Sequence, residues 1–109
     1  MLPVPQQFAE KAHAYSLPHI GQENSRVKDL ADMILYLETR PPDRDAVAQA
    51  VRAVFALRNT HPIPATLPEP PATWDAVFKS IAAHCALSAA DLATAYHILS
   101  VYWSSLSLP

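Results

Sequence analysis

The side chains best able to do chemistry are five histidines (His13, His19, His61, His84, His97), one cysteine (Cys85) and two carboxylate pairs, Asp29/Asp32 and Asp43/Asp45. Metal binding would be their simplest joint use. Zinc sites show short ligand spacings, or two histidines one helical turn apart. No two of these histidines are four residues apart, and no HExxH or CxxC pattern occurs. His84 and Cys85 are adjacent, and neighbours on a helix point about 100° apart. No metal is expected, and the histidines read as surface or helix-end groups.

Nucleophilic catalysis has equally little to draw on. No serine stands in a Gly-x-Ser-x-Gly turn. Cys85 falls on an apolar helical stripe and reads as a small buried hydrophobe. Each carboxylate pair has basic neighbours (Arg26 and Lys28 for the first, Arg44 for the second), which points to surface charge and helix-end electrostatics. The chain has eleven prolines and one glycine, Gly21. Phosphate loops and dinucleotide fingerprints need several glycines to bring backbone N–H groups close to the anion. No catalytic residue, cofactor or small-molecule substrate is expected on these grounds.

The elements that carry these residues are helical. Helix one is expected from Pro5 to Tyr15, followed by a break at Leu17–Gly21. Helix two starts near Asn24 or Ser25 and runs to Thr39, with Val27, Leu30, Ala31, Ile34 and Leu37 on its stripe. Arg40-Pro41-Pro42-Asp43 stops it, because the residue before proline resists the α region. Helix three covers Asp43 to Asn59, with Val47, Ala50, Val51, Val54 and Leu57 facing inward. The short link implies that helices two and three pair antiparallel. Thr60–Ala72 holds five prolines and reads as an extended linker or a proline-rich ligand. Helix four follows from Trp74 to His84, with Trp74, Val77, Phe78, Ile81 and Cys85 on its stripe. Ser88 to Asp91 has the form of a capping box for helix five, Ala89 to Ser105. The fold class is all-α: a small bundle of four to five amphipathic helices, in one domain spanning residues 1–109. Its parts are an N-terminal hairpin 24–59, the Pro-rich linker 60–72 and a C-terminal pair 73–106.

Leu30 to Asp45, running into Val51 to Asn59, resembles the helical hairpin of histidine phosphotransfer domains in its hydrophobic spacing. Phe55 stands where that family carries its phosphorylated histidine, and Asn59 where it has a glycine. The resemblance implies the hairpin without the phosphotransfer.

Charge distribution shapes the functional expectation. Residues 1–59 hold seven of the eight Lys/Arg and seven of the ten Asp/Glu, which leaves the second half charge-poor. Such a surface is expected to be covered by the first half or by another chain. Helix five is apolar around most of its circumference, as in a helix at the centre of its bundle or one that faces a partner as well as the core. Trp74, Ile98, Val101, Tyr102 and Trp103 are the expected partner-binding residues. The leading expectation is a non-enzymatic interaction module, self-associating as a homodimer through its C-terminal helices. The alternative is a DNA-binding regulator with a degenerate helix-turn-helix. The start of helix five has Asp91 and no Lys or Arg, and the net charge is −2, so nucleic acid is not an expected partner. With no signal-peptide pattern and no long apolar run, a cytoplasmic location without a membrane span is expected.

Overall fold

The computed structural model describes residues 3–17 and 23–108. Of the break expected at Leu17–Gly21, only Leu17 is described; His19 and the capping side chains of Asn24 and Ser25 lie outside the described residues. All regular structure among them is helical: α1 (Val4–Ser16), α2 (Glu23–Thr39), α3 (Arg44–Arg58), α4 (Asp75–Cys85) and α5 (Leu92–Ser105), with one 3-10 turn, Ala72–Trp74, leading into α4. The all-α bundle expected from the sequence is therefore the observed fold.

Prolines set the boundaries. Pro3 and Pro5 flank the first turn of α1, where a missing N–H costs nothing. Leu17 ends that helix in an extended conformation, as a residue before proline must. Asp43 caps α3 by accepting from the Ala46 N–H at 3.0 Å, an arrangement that contributes about 1 kcal/mol. With no glycine at either position, two helix ends use other residues in the left-handed region. Asn59 closes α3 at φ 49° and Ala86 closes α4 at φ 56°. The Leu87 N–H then reaches the Ala82 carbonyl at 2.9 Å and the Ala86 N–H reaches that of Ala83 at 3.3 Å, which completes a Schellman motif.

Helix α1 lies between α2 and α3 and packs extensively on both. Its Phe8 and Ala12 are fully buried, and the small Ala9 and Ala12 let the flanking helices approach closely. The direct antiparallel pairing of helices two and three is thus corrected: α3 rests on α1, and α2 turns its other side to α4 and α5. A short link brings two helices near each other, but a third apolar helix can still occupy the space between them. This placement also explains the buried stripes. On α2 the fully buried Met33 joins Val27, Leu30 and Ile34, because two sides of the helix are covered. On α3, which faces mainly one helix, Phe55 is buried and Leu57 is 81% exposed, against expectation.

Two further boundaries differ. Helix α5 starts at Leu92 with Asp91 as its cap, the carboxylate accepting from the Thr94 N–H at 2.8 Å. The start falls three residues later than the expected Ala89, and Glu38 of α2 accepts from the Ser88 and Ala89 N–H groups just before it, at 2.7 and 2.9 Å. Cys85, expected on the buried stripe, is exposed, as are its neighbours Ala83, His84 and Ala86, while Ala82 and Leu87 on either side are buried.

The Pro-rich segment crosses the bundle as a strap. Leu67 is buried. Three side chains bind its carbonyls: Tyr15 donates to Pro68 at 2.7 Å, Tyr96 to Leu67 at 2.7 Å and the Trp103 indole to Pro64 at 3.0 Å. Proline lacks an N–H, so carbonyls are much of what such a segment offers. Burial pushes the Tyr15 phenol well above its ordinary range, so it stays a donor.

Candidate functional site

The five residues expected to bind a partner separate into two groups. Trp74 and Trp103 are core residues, 3% and 2% exposed. The Trp74 ring meets Tyr15 edge to face at 6.1 Å, and Trp103 is held by Pro64. Ile98, Val101 and Tyr102 instead line one wall of a groove of about 420 Å³. The opposite wall comes from Leu37 at the end of α2, from Pro41 and Pro42 in the link, and from Arg44 at the start of α3; His97 and Ser105 complete the lining. Val101 is 57% exposed there.

Local packing fixes the groove wall. The Tyr102 ring meets Phe8 of α1 edge to face at 5.4 Å, and its hydroxyl lies 3.4 Å from the Pro42 carbonyl. Burial raises the Tyr102 phenol above its usual range, and the nearby Arg44 charge offsets part of that. At neutral pH the hydroxyl is protonated and able to donate. The groove therefore combines an apolar floor with a cation, an imidazole and two hydroxyls.

A second constellation gives no sign in the sequence. His13 of α1 is buried, with Nε2 2.7 Å from the Thr60 hydroxyl. The His61 Nδ1 is 3.2 Å from the same hydroxyl, and its Nε2 is 2.7 Å from the Ser16 hydroxyl. Phe55 packs edge to face on both imidazoles, at 5.0 and 5.1 Å. His61 also faces an open cavity of about 490 Å³ beside Arg52, Asn59 and Thr60 at the end of α3. Of the expected surface or helix-end positions, His13 takes a helix end, in the last turn of α1, but is buried in this polar cluster under Phe55. Its members come from segments 45 and 47 residues apart, so no local spacing could reveal them.

The carboxylate pairs do not form acid–base dyads. Asp29 is largely buried, bound by Arg26 at 2.7 Å and facing Lys11 at 3.7 Å. Asp32 pairs with Lys11 at 2.9 Å, rather than with Lys28 on its own helix. The Asp32 hydrogen bond holds the Lys11 ammonium above its usual range. Among the described residues, no group of three or more His, Cys, Asp or Glu side chains could hold a metal ion. No helix among them is long and apolar enough to cross a membrane.

Comparison with known proteins changes the functional expectation. Residues 1–99 match the family described as nucleotidyl transferase AbiEii toxin, type IV toxin–antitoxin system. No curated protein and no solved structure is similar enough to count as a match. The family match overturns the non-enzymatic interaction module and the helix-turn-helix regulator as functions, because the family is one of transferases. The sequence displays no catalytic spacing of the kinds sought, and a site assembled from distant residues leaves no such local mark. The match extends over far more than half of the chain, which therefore belongs to the AbiEii nucleotidyl transferase toxin family.

Proposed function

We propose that this chain serves nucleotidyl transfer as part of a toxin of a type IV toxin–antitoxin system, acting in the cytoplasm where nucleotide substrates are found. The observation that carries the reading is the family match across residues 1–99. In such a transfer an acceptor oxygen attacks the α-phosphorus of a nucleoside triphosphate. The new P–O bond forms as the bond to the bridging oxygen breaks, and pyrophosphate leaves with that electron pair. Divalent cations held by carboxylates commonly support such displacements. Among the described residues no group of three or more such ligands forms; one or two carboxylates together with the nucleotide's own phosphates complete a Mg²⁺ site of this kind.

Incubating the purified chain with each α-labelled nucleoside triphosphate, Mg²⁺ and a total cellular acceptor pool tests the reading. Time-dependent transfer of label with release of pyrophosphate is the expected result, together with growth arrest when the chain is expressed. No transfer from any of the four triphosphates and no growth defect would overturn it.

A further inference from the structure

We propose that Ser16 and His61 form a nucleophile–base pair that hydrolyses small neutral carboxylic esters, with the cavity between the end of α1 and the strap as the acyl pocket. The pair stands apart from the transferase reading and needs no nucleotide. The Ser16 hydroxyl lies 2.7 Å from His61 Nε2, and both residues are half-buried, within reach of a small molecule. An activated nucleophile needs a base in hydrogen-bond reach and a third group that orients the base. Here the orienting group is Thr60, whose hydroxyl is 3.2 Å from His61 Nδ1 and 2.7 Å from His13 Nε2.

The protons along this chain have a consistent placement, assigned from the network itself. Thr60 donates to His13 and accepts from His61 Nδ1–H, which leaves the His61 Nε2 lone pair facing Ser16. Burial lowers the His13 pKa, so at neutral pH its imidazole stays an acceptor for Thr60. The His13 carbonyl, 3.1 Å from the Ser16 hydroxyl, is the more distant alternative for the serine proton.

Ser16 also lines a cavity of about 360 Å³, within the roughly 300–1,000 Å³ typical of small-ligand pockets. Leu17, Pro68, Pro70, Pro71 and Trp74 give it an apolar lining, and the Glu69 carboxylate repels anions. That combination suits a short uncharged acyl chain and disfavours phosphates. In the reaction, Ser16 Oγ attacks the ester carbonyl carbon as its proton passes to His61 Nε2. The bond to the alcohol oxygen breaks, and the alkoxide leaves with that electron pair and takes the His61 proton. Water repeats the sequence on the acyl-serine. Its proton goes to His61, the C–Oγ bond breaks, and Ser16 recovers the proton as the acid departs.

Two readouts on the full chain test the pair: release of p-nitrophenol from p-nitrophenyl butyrate, and labelling by a neutral alkyl fluorophosphonate mapped by peptide mass spectrometry. The fluorophosphonate forms an Oγ–P bond with loss of fluoride, and its label is expected on Ser16. Ser16→Ala should abolish both signals, while Ser104→Ala, at an exposed serine of α5, should change neither. His61→Gln is expected to slow both about 100-fold or more. Thr60→Val should slow them as well and Thr60→Ser should restore them, which separates orientation of the imidazole from packing. Circular dichroism checks that each variant folds; if His61→Gln unfolds, the Thr60 series decides. Turnover or labelling no greater than that of Ser16→Ala overturns the site. Equal rates in wild type, His61→Gln and Thr60→Val overturn it too, because the serine would then act without its base.

Discussion

The imidazole of His13 illustrates how far a residue's chemistry depends on its neighbours. Burial holds its pKa below the ordinary value of 6.5, the neighbouring His61 and Arg58 push the same way, and Glu10 opposes them. The unfolded chain takes up a proton near that ordinary value while the folded protein still resists it. Stability from this group is therefore complete above about pH 6.5 and declines as the pH falls through that value. The decline stops once the folded-state histidine is itself protonated. Urea midpoints measured from about pH 8 down to pH 5 should show this slope, and His13→Phe should flatten it. That Tyr102 stands on a broadly apolar helix was legible in the sequence. The His13 cluster was not, since Ser16, Thr60 and His61 meet it only after α1 has settled onto α3.

At the level of elements, the sequence showed which segments are helical more clearly than where each begins or what it touches. Prolines and acidic caps are local, so the ends of α1 and α3 could be read directly. The Ser88 and Ala89 N–H groups before α5 meet Glu38, some fifty residues away, and Ser88 carries no mark of that partner. Glu38→Ala removes two charge-assisted hydrogen bonds and should destabilise the fold by about 2 kcal/mol, read as a lower urea midpoint at unchanged slope. Ala86 offers the opposite experiment. It closes α4 in the left-handed region, where a Cβ costs roughly 1 kcal/mol or slightly more. Ala86→Gly relieves that strain, at some cost in unfolded-state entropy. A net gain of about 0.5–1 kcal/mol is expected, seen as a rise of a few degrees in Tm.

For the whole molecule, the central position of α1 explains both the pairing error and the balance of the core. The radius of gyration is 13.0 Å, the value of about 13 Å expected for a compact chain of roughly this length, so little space remains for rearrangement. Phe8, enclosed between flanking helices, should cost about 3–5 kcal/mol when cut to alanine, enough to unfold a marginal protein at physiological temperature. The charge-poor second half was expected to need cover, and much of that cover is internal. Leu67, Phe78, Leu92, Leu99 and Trp103 all enter the common core. Trp103→Phe keeps most of the apolar volume but leaves the Pro64 carbonyl without its indole donor. A loss of about 1–3 kcal/mol in thermal or chemical denaturation would match that unpaired group.

The strap across the bundle is gripped at Pro64, Leu67 and Pro68 through peptide oxygens, which every amino acid carries. Its exposed positions, such as Pro62, Ala65, Thr66 and Glu69, contribute no printed letter to that grip. In a saturation library those sites should accept nearly any residue that stays extended, while Leu67, Tyr15, Tyr96 and Trp103 resist change. Divergence among family members should then be fastest along the segment that looks most distinctive, and slowest in the aromatic side chains that hold it from a distance.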